Sequence, residues 1–132
     1  MPESVTVSSG TGRHTVTITA VFTGKGVIVH LFGGEKPHVG AVAISLPRPS
    51  LKDPRVTSSD AIVVPLPGHK DDELARPVGK HLASFCNEPV VVVAGLHVKQ
   101  ATASDIDLLQ ENTRAALDKL CARIQDIIKI DG

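Results

Sequence analysis

The sequence predicts an α+β fold, a two-layer sandwich in which two helices cover one face of a mainly antiparallel sheet of about five or six strands. Three observations favour it. Apolar and polar residues alternate through much of the first half of the chain, as in half-buried strands. A run of valines at 90–93 indicates a strand buried on both faces, and a long stretch after residue 104 has apolar residues at helical spacing. All 132 residues fit one domain, 1–132.

The first half is predicted to form a β-meander. His14 to Phe22 alternates with threonines on one face, and turns containing glycine follow at 23–26 and 33–37. Pro47-Arg48-Pro49 is expected to end this part of the sheet and to open a loop that extends to residue 56. Strands are therefore expected at 4–8, 14–22, 27–32 and 38–46.

The second half is predicted to add two strands and two helices. The strand at 59–66 contains Pro65, which cannot donate to a ladder and therefore indicates a sheet edge or a strand end. An acid-rich segment then begins a helix that Pro77 should kink or split, and a central strand follows at 89–98. Ser104, with Asp107 three residues on, is the expected N-cap of the long final helix.

Composition excludes several classes of protein. Fourteen basic residues balance fourteen acidic ones, and the chain has three Phe but no Trp or Tyr, so a nucleic-acid binder is not expected. No apolar run is long enough for a signal peptide or a membrane span, which predicts a cytoplasmic protein without a membrane partner. Cys86 and Cys121 lack CxxC spacing and are expected to be reduced and largely buried.

Three segments that combine glycine and histidine lie where predicted strands begin or end. If the connections are short, the strand directions bring all three to one edge of the sheet. A structural role is expected instead for His14, His30 and His81, and Gly33-Gly34 could simply form a tight turn. The candidate site residues are Gly33, Gly34, His38 and Gly40 in the first segment, Gly68, His69 and Lys70 in the second, and Gly95 and His97 in the third.

The chemistry of this edge allows more than one ligand. Glycines let a ligand approach the backbone closely, and a helix that starts near His69 and Lys70 offers amides and positive charge to a phosphate or carboxylate. His38, His69 and His97 could donate hydrogen bonds to such an anion or act as acid–base groups. They could equally hold a metal with Asp71 or Asp72, although no short metal-ligand spacing is present.

Three motifs, at 37–43, 68–72 and 91–98, resemble the LpdD-like family, which is the family of the gallate decarboxylase D subunit. The resemblance extends over about residues 14–125. The resemblance implies a non-enzymatic chaperone that binds prenylated FMN and supports a UbiD-type decarboxylase, with a flavin prenyltransferase as a further partner. It also implies a fold similar to that of small proteasome-assembly chaperones, a homodimer, and flavin contacts from the nine candidate residues. We place the ribityl phosphate near His69 and Lys70 on physical grounds.

Two other functions compete with this one. The glycine and histidine edge could bind a protein partner and no flavin, as in an assembly chaperone or a small accessory subunit. A small enzyme could use His38, His69 or His97 as acid–base groups, but no nucleophile–base spacing in the sequence supports it.

Overall fold

The computed structural model describes residues 4–66 and 71–131 and confirms the α+β prediction. Six strands form one mixed sheet in the order β1-β2-β3-β6-β4-β5, and two helices pack against it. The bounds are β1 Ser4–Ser9, β2 Val16–Phe22, β3 Val27–Gly34, β4 Ala41–Pro49, β5 Thr57–Pro65, α1 Asp72–Cys86, β6 Val90–His97 and α2 Ala103–Asp131, with a 3₁₀ turn at Gly12–His14 before β2.

The strand directions bring several chain segments to one end of the sheet. Strand β6 lies between β3 and β4, as its apolar character predicts, and pairs parallel with β3 and antiparallel with β4. All other strand pairs are antiparallel. The ends of β3 and β6 and the start of β4 therefore meet at the same edge, which we call the upper edge.

Alternate side chains on each strand point into a core beneath the two helices. Helix α1 packs on β4, β5 and β6, and helix α2 packs on β1 and β2, so both helices cover the same face. Fully buried core side chains include Ile18, Leu31, Val92 and Leu120. The described part of the chain places no element over the opposite, outer face of the sheet, where several aliphatic side chains are exposed.

The prediction that Pro47 and Pro49 end the sheet is wrong. Both prolines lie in β4 and pair with Ser59 and Thr57 of β5. Strand β4 pairs with β6 only as far as Ser45, so its later residues have β5 on one side and no strand on the other. A missing N–H on that open side removes no ladder hydrogen bond, which is why proline is tolerated there. Pro65 ends β5, an edge strand, as predicted.

The two helices bear differently on their predictions. Pro77 lies inside α1, which is continuous from Asp72 to Cys86, so the helix is not split and the kink stays a prediction. Helix α2 is capped by Thr102 and not by Ser104, which lies in its first turn. The N–H of Thr102 donates to Asp105 Oδ2 at 2.8 Å, and the N–H of Asp105 donates to Thr102 Oγ1 at 3.2 Å, which is a capping box two residues earlier than expected.

The cysteines agree with their prediction. Both Cys86 and Cys121 are free thiols, the first half-buried and the second buried. Loss of solvation raises the pKa of the Cys121 thiol to about 11, with smaller contributions from Cys86 and Asp118. Such a thiol is almost entirely protonated at neutral pH and is a poor nucleophile.

Candidate functional site

The upper edge brings together two of the three predicted segments. Gly34 pairs with His97 in the register of β3 and β6, and the N–H of Gly40 donates to the carbonyl of Ala94 at 2.7 Å. The ring centroids of His38 and His97 lie 6.0 Å apart, with the rings nearly perpendicular. The predicted convergence is therefore confirmed for these segments, while Gly68, His69 and Lys70 lie outside the described residues.

Four of the candidate glycines allow close packing within the protein. A methyl group added at Gly33 would overlap the carbonyl oxygen of Thr15, and one at Gly34 the carbonyl oxygen of His97. The same addition at Gly95 would overlap the carbonyl group of His38, and at Gly40 the carboxylate of Asp71. The space that a side chain would occupy is thus filled by the protein itself. The glycines position the surrounding groups, and direct contact with a ligand stays a prediction.

Asp71 holds the site together, and the sequence indicated it only as a conceivable metal ligand. It lies immediately before α1, and its side chain is only 7% exposed. Oδ1 accepts the backbone N–H of Leu96 at 3.0 Å, and Oδ2 lies 3.1 Å from Nε2 of His38. One carboxylate thereby joins the start of α1, the end of β6 and the segment that leads into β4.

His38 is held through both of its ring nitrogens. Its Nδ1 lies 3.0 Å from the carbonyl oxygen of Lys36, which can only accept, so Nδ1 donates. Its Nε2 lies 3.1 Å from Oδ2 of Asp71. His38 and Asp71 thus form a fixed hydrogen-bonded unit that joins the segment before β4 to the start of α1.

A cleft of about 380 Å³ opens beside this unit, between the start of α1 and the start of α2. Its polar lining residues are Asp71, Glu73, His97, Gln100 and Gln110, and the rest of its lining is apolar and includes Leu74, Leu96 and Leu109. Its volume lies within the range of roughly 300–1,000 Å³ that is usual for small-molecule sites. The contribution of α2 to this cleft could not be predicted, because it depends on how the helices pack.

The electrostatics of the cleft limit where an anion could bind. Asp71 and Glu73 both line it, and Asp72 and Glu73 already provide negative charge to the first turn of α1. An anionic group is therefore disfavoured inside the cleft. No cluster of three or more metal-ligating side chains is found in the described ranges, so the metal alternative gains no support there. No helix in these ranges is long and apolar enough to cross a membrane.

The three histidines with an expected structural role each contact a neighbouring side chain. Nε2 of His14 lies 2.7 Å from Oδ1 of Asp105 and ties the loop before β2 to the start of α2. The N–H of Thr102 and then His14 lower the pKa of Asp105 to about 2. His30 stacks on Phe32, with ring centroids 4.3 Å apart, and His81 stacks on Phe85 at 6.2 Å.

A larger cleft of about 550 Å³ lies at the other end of the molecule, far from the histidine edge. It is lined by the turn between β2 and β3 and by the last turns of both helices, including Phe22 and Phe85. Burial raises the pKa of the Cys86 thiol there. None of the six candidate residues that the structure describes lines this cleft, and we base the candidate site on chemistry rather than on volume.

Comparisons with known proteins agree with these observations. The sequence model of a prenylated flavin chaperone LpdD-like domain matches residues 10–125. A chain in the crystal structure of a chaperone complex for yeast 20S proteasome assembly is similar in fold, with a TM-score of 0.51, 14% identity and 98% of both chains covered. No curated protein matches. The family resemblance of the motifs and the similarity in fold to proteasome-assembly chaperones are thereby confirmed.

Proposed function

Because the chain belongs to the prenylated flavin chaperone LpdD-like family, we propose that it is a non-enzymatic chaperone that binds prenylated FMN and supports a UbiD-type decarboxylase. The chaperone would deliver the cofactor to the enzyme or assist the enzyme's maturation, and a flavin prenyltransferase would supply the cofactor. The observation that carries the proposal is a mainly apolar cleft of about 380 Å³ whose lining includes Asp71 and His97, two residues within the family match.

The residues of the cleft suit an isoalloxazine, a flat group with apolar faces and polar edges. Leu96 and Leu109 provide apolar walls, and His97 could hydrogen-bond to a ring edge. With no Trp or Tyr in the chain, the ring would pack on aliphatic side chains. We propose that His38, held by Asp71, positions His97, and that Gly33, Gly34, Gly40 and Gly95 keep the edge closely packed.

The phosphate of the cofactor is proposed to bind outside the cleft, near Gly68, His69 and Lys70. These residues immediately precede Asp71 and supply a lysine charge, whereas Asp71 and Glu73 would repel a phosphate within the cleft.

Anaerobic co-expression with an active flavin prenyltransferase tests the cofactor role. The purified protein is expected to carry prenylated FMN, detected by mass and absorbance. Leu109→Glu places a charge in the apolar wall and should abolish the bound flavin, whereas Leu51→Glu, at a surface residue that is 91% exposed, should retain it. A folded wild-type protein that carries no flavin under these conditions would refute the proposal.

The proposed working unit is a homodimer that contacts the decarboxylase. A protein-assembly role without flavin is the second candidate function, and exposed aliphatic residues on the outer face of the sheet favour it. The two are separated by measuring the complex with the decarboxylase in the presence and absence of prenylated FMN. A complex that forms equally well without cofactor, from a chain that binds none, favours the second.

A further inference from the structure

The outer face of the sheet carries a continuous row of β-branched aliphatic residues across five strands. Val21 pairs with Ile28, Ile28 with Val91, Val91 with Ile44, and Ile44 with Ile62, so the row crosses β2, β3, β6, β4 and β5 in register. We call these five residues the outer row. Ile28 is 49% exposed, Ile44 41% and Ile62 61%, although the residues on either side of Ile28 and Ile44 along their strands are buried.

On one side of the outer row, the neighbouring side chains are not acidic, and none is a lysine or arginine. The next register positions carry Thr19, His30, Val93, Val42 and Val64. Among the described residues on the strands' outer face, the charged side chains are Arg48 and Asp60, which form an ion pair at 2.9 Å near one end. A surface of this kind offers nothing to an acidic or basic partner, and its best complement is another uncharged β-branched surface.

We infer that the outer face is the interface at which two copies of this chain stack sheet against sheet, with the outer row at its centre. This inference rests on the homodimer of the proposed function and gives that dimer a location. Stacked sheets pack about 10 Å apart, and β-branched side chains from two faces interdigitate well at that spacing.

The available area favours stacking of the faces over pairing of edge strands. Six strands with the usual spacing and a length of about seven residues span roughly 650 Å² in projection. A stable interface buries about 800 Å² on each partner, which a rough face of this projected size approaches. The exposed edge of β1 or β5 is a single strand and offers much less. The same patch serves both copies, so one substitution changes the interface twice.

The test measures the mass of the full chain in solution by sedimentation velocity at micromolar concentration. The wild type is expected to have the mass of two chains. Ile44→Asp should raise the dissociation constant more than about 100-fold, because two unpaired carboxylates would be buried at the interface. Ile128→Asp is the matched control, since Ile128 is 51% exposed on α2 and should leave the dimer intact.

A second variant guards against loss of folding. Val91→Thr keeps the side-chain shape and the β-branching while placing a hydroxyl group at the centre of the row, and it should raise the dissociation constant about 10-fold or more. Folding of every variant is checked by circular dichroism. The inference is overturned by a wild type that has the mass of one chain, or by Ile44→Asp and Val91→Thr dimers as stable as that of Ile128→Asp.

Flavin bound per chain, measured in the same samples, separates this inference from the proposed function. A dimer that carries no flavin refutes the cofactor role and supports the interface. A monomeric wild type that carries flavin refutes the interface and leaves the cofactor role standing, with the outer face then available to the decarboxylase.

Discussion

The carboxylate of Asp71 lies 3.1 Å from Nε2 of His38, a residue 33 positions earlier in the chain. The same carboxylate accepts the N–H of Leu96, so it fixes three segments of the upper edge relative to one another. Asp71 also lines the neighbouring cleft. Ligand binding at the cleft and stability of the edge should therefore depend on the same side chain.

Substitution of Asp71 tests this dependence. Asp71→Ala removes the carboxylate that accepts the N–H of Leu96 and faces Nε2 of His38, and it should lower the free energy of unfolding by about 2–3 kcal/mol. Asp71→Asn should cost less than about 1 kcal/mol, because its amide can accept from Leu96 and donate to Nε2 of a neutral His38. Urea denaturation measures both values. Equal losses for the two variants would contradict this account of the hydrogen bonds.

Gly95 is expected to tolerate no side chain. A methyl group there would overlap the carbonyl group of His38, so Gly95→Ala should displace the segment before β4 and lower the free energy of unfolding by more than about 2 kcal/mol. Gly12→Ala is the control, since it meets no atom within 4 Å and has only a positive φ of 57° to oppose it. The free energy of unfolding of that variant should fall by about 1 kcal/mol. Thermal melts that give the same loss of stability for both variants would argue against the overlap at Gly95.

Substitutions at the start of α2 distinguish between Thr102 and Ser104 as the N-cap of the helix. Thr102→Ala removes a capping hydroxyl that accepts the N–H of Asp105, and it should lower the free energy of unfolding by about 1 kcal/mol. Ser104→Ala changes a residue within the first turn and should alter it by less than about 0.5 kcal/mol. Chemical denaturation measures the free energy of unfolding of both variants. A larger loss of stability for Ser104→Ala than for Thr102→Ala would indicate that Ser104 is the N-cap, as the sequence predicts.

Acid should weaken the fold through Asp105. Its pKa is lowered from 3.8 to about 2 in the folded protein, mainly by the N–H of Thr102 and then by His14. A carboxyl group whose pKa is lower in the folded state stabilises the protein above its unfolded pKa. This contribution is complete above about pH 4 and is lost as the pH falls towards 2. Denaturation midpoints between pH 2 and 5 should fall less steeply for Asp105→Asn than for the wild type, and identical slopes would exclude this role.

Part of the candidate site could be predicted from the sequence. Alternation identifies the strands and short connections give their directions, and these directions bring His38 and His97 to one edge together with Gly34 and Gly95. The role of Asp71 could not be predicted in this way. Its partners are a backbone N–H and an imidazole in distant segments, and no local pattern records such a contact. The cleft wall formed by Leu109 likewise depends on the packing of α2.

The sequence by itself determined the element types, the central position of the valine-rich strand and the family, because periodicity and short motifs are encoded residue by residue. Tertiary structure decided what individual residues do there. Pro47 and Pro49 remain in β4 because one side of that strand is open, and Gly40 and Gly95 are needed because neighbouring segments approach too closely for a side chain. The glycines and histidines that the sequence suggests as ligand contacts thus first pack the upper edge around Asp71. Only the folded chain brings His38 and Leu96 within hydrogen-bonding distance of that carboxylate.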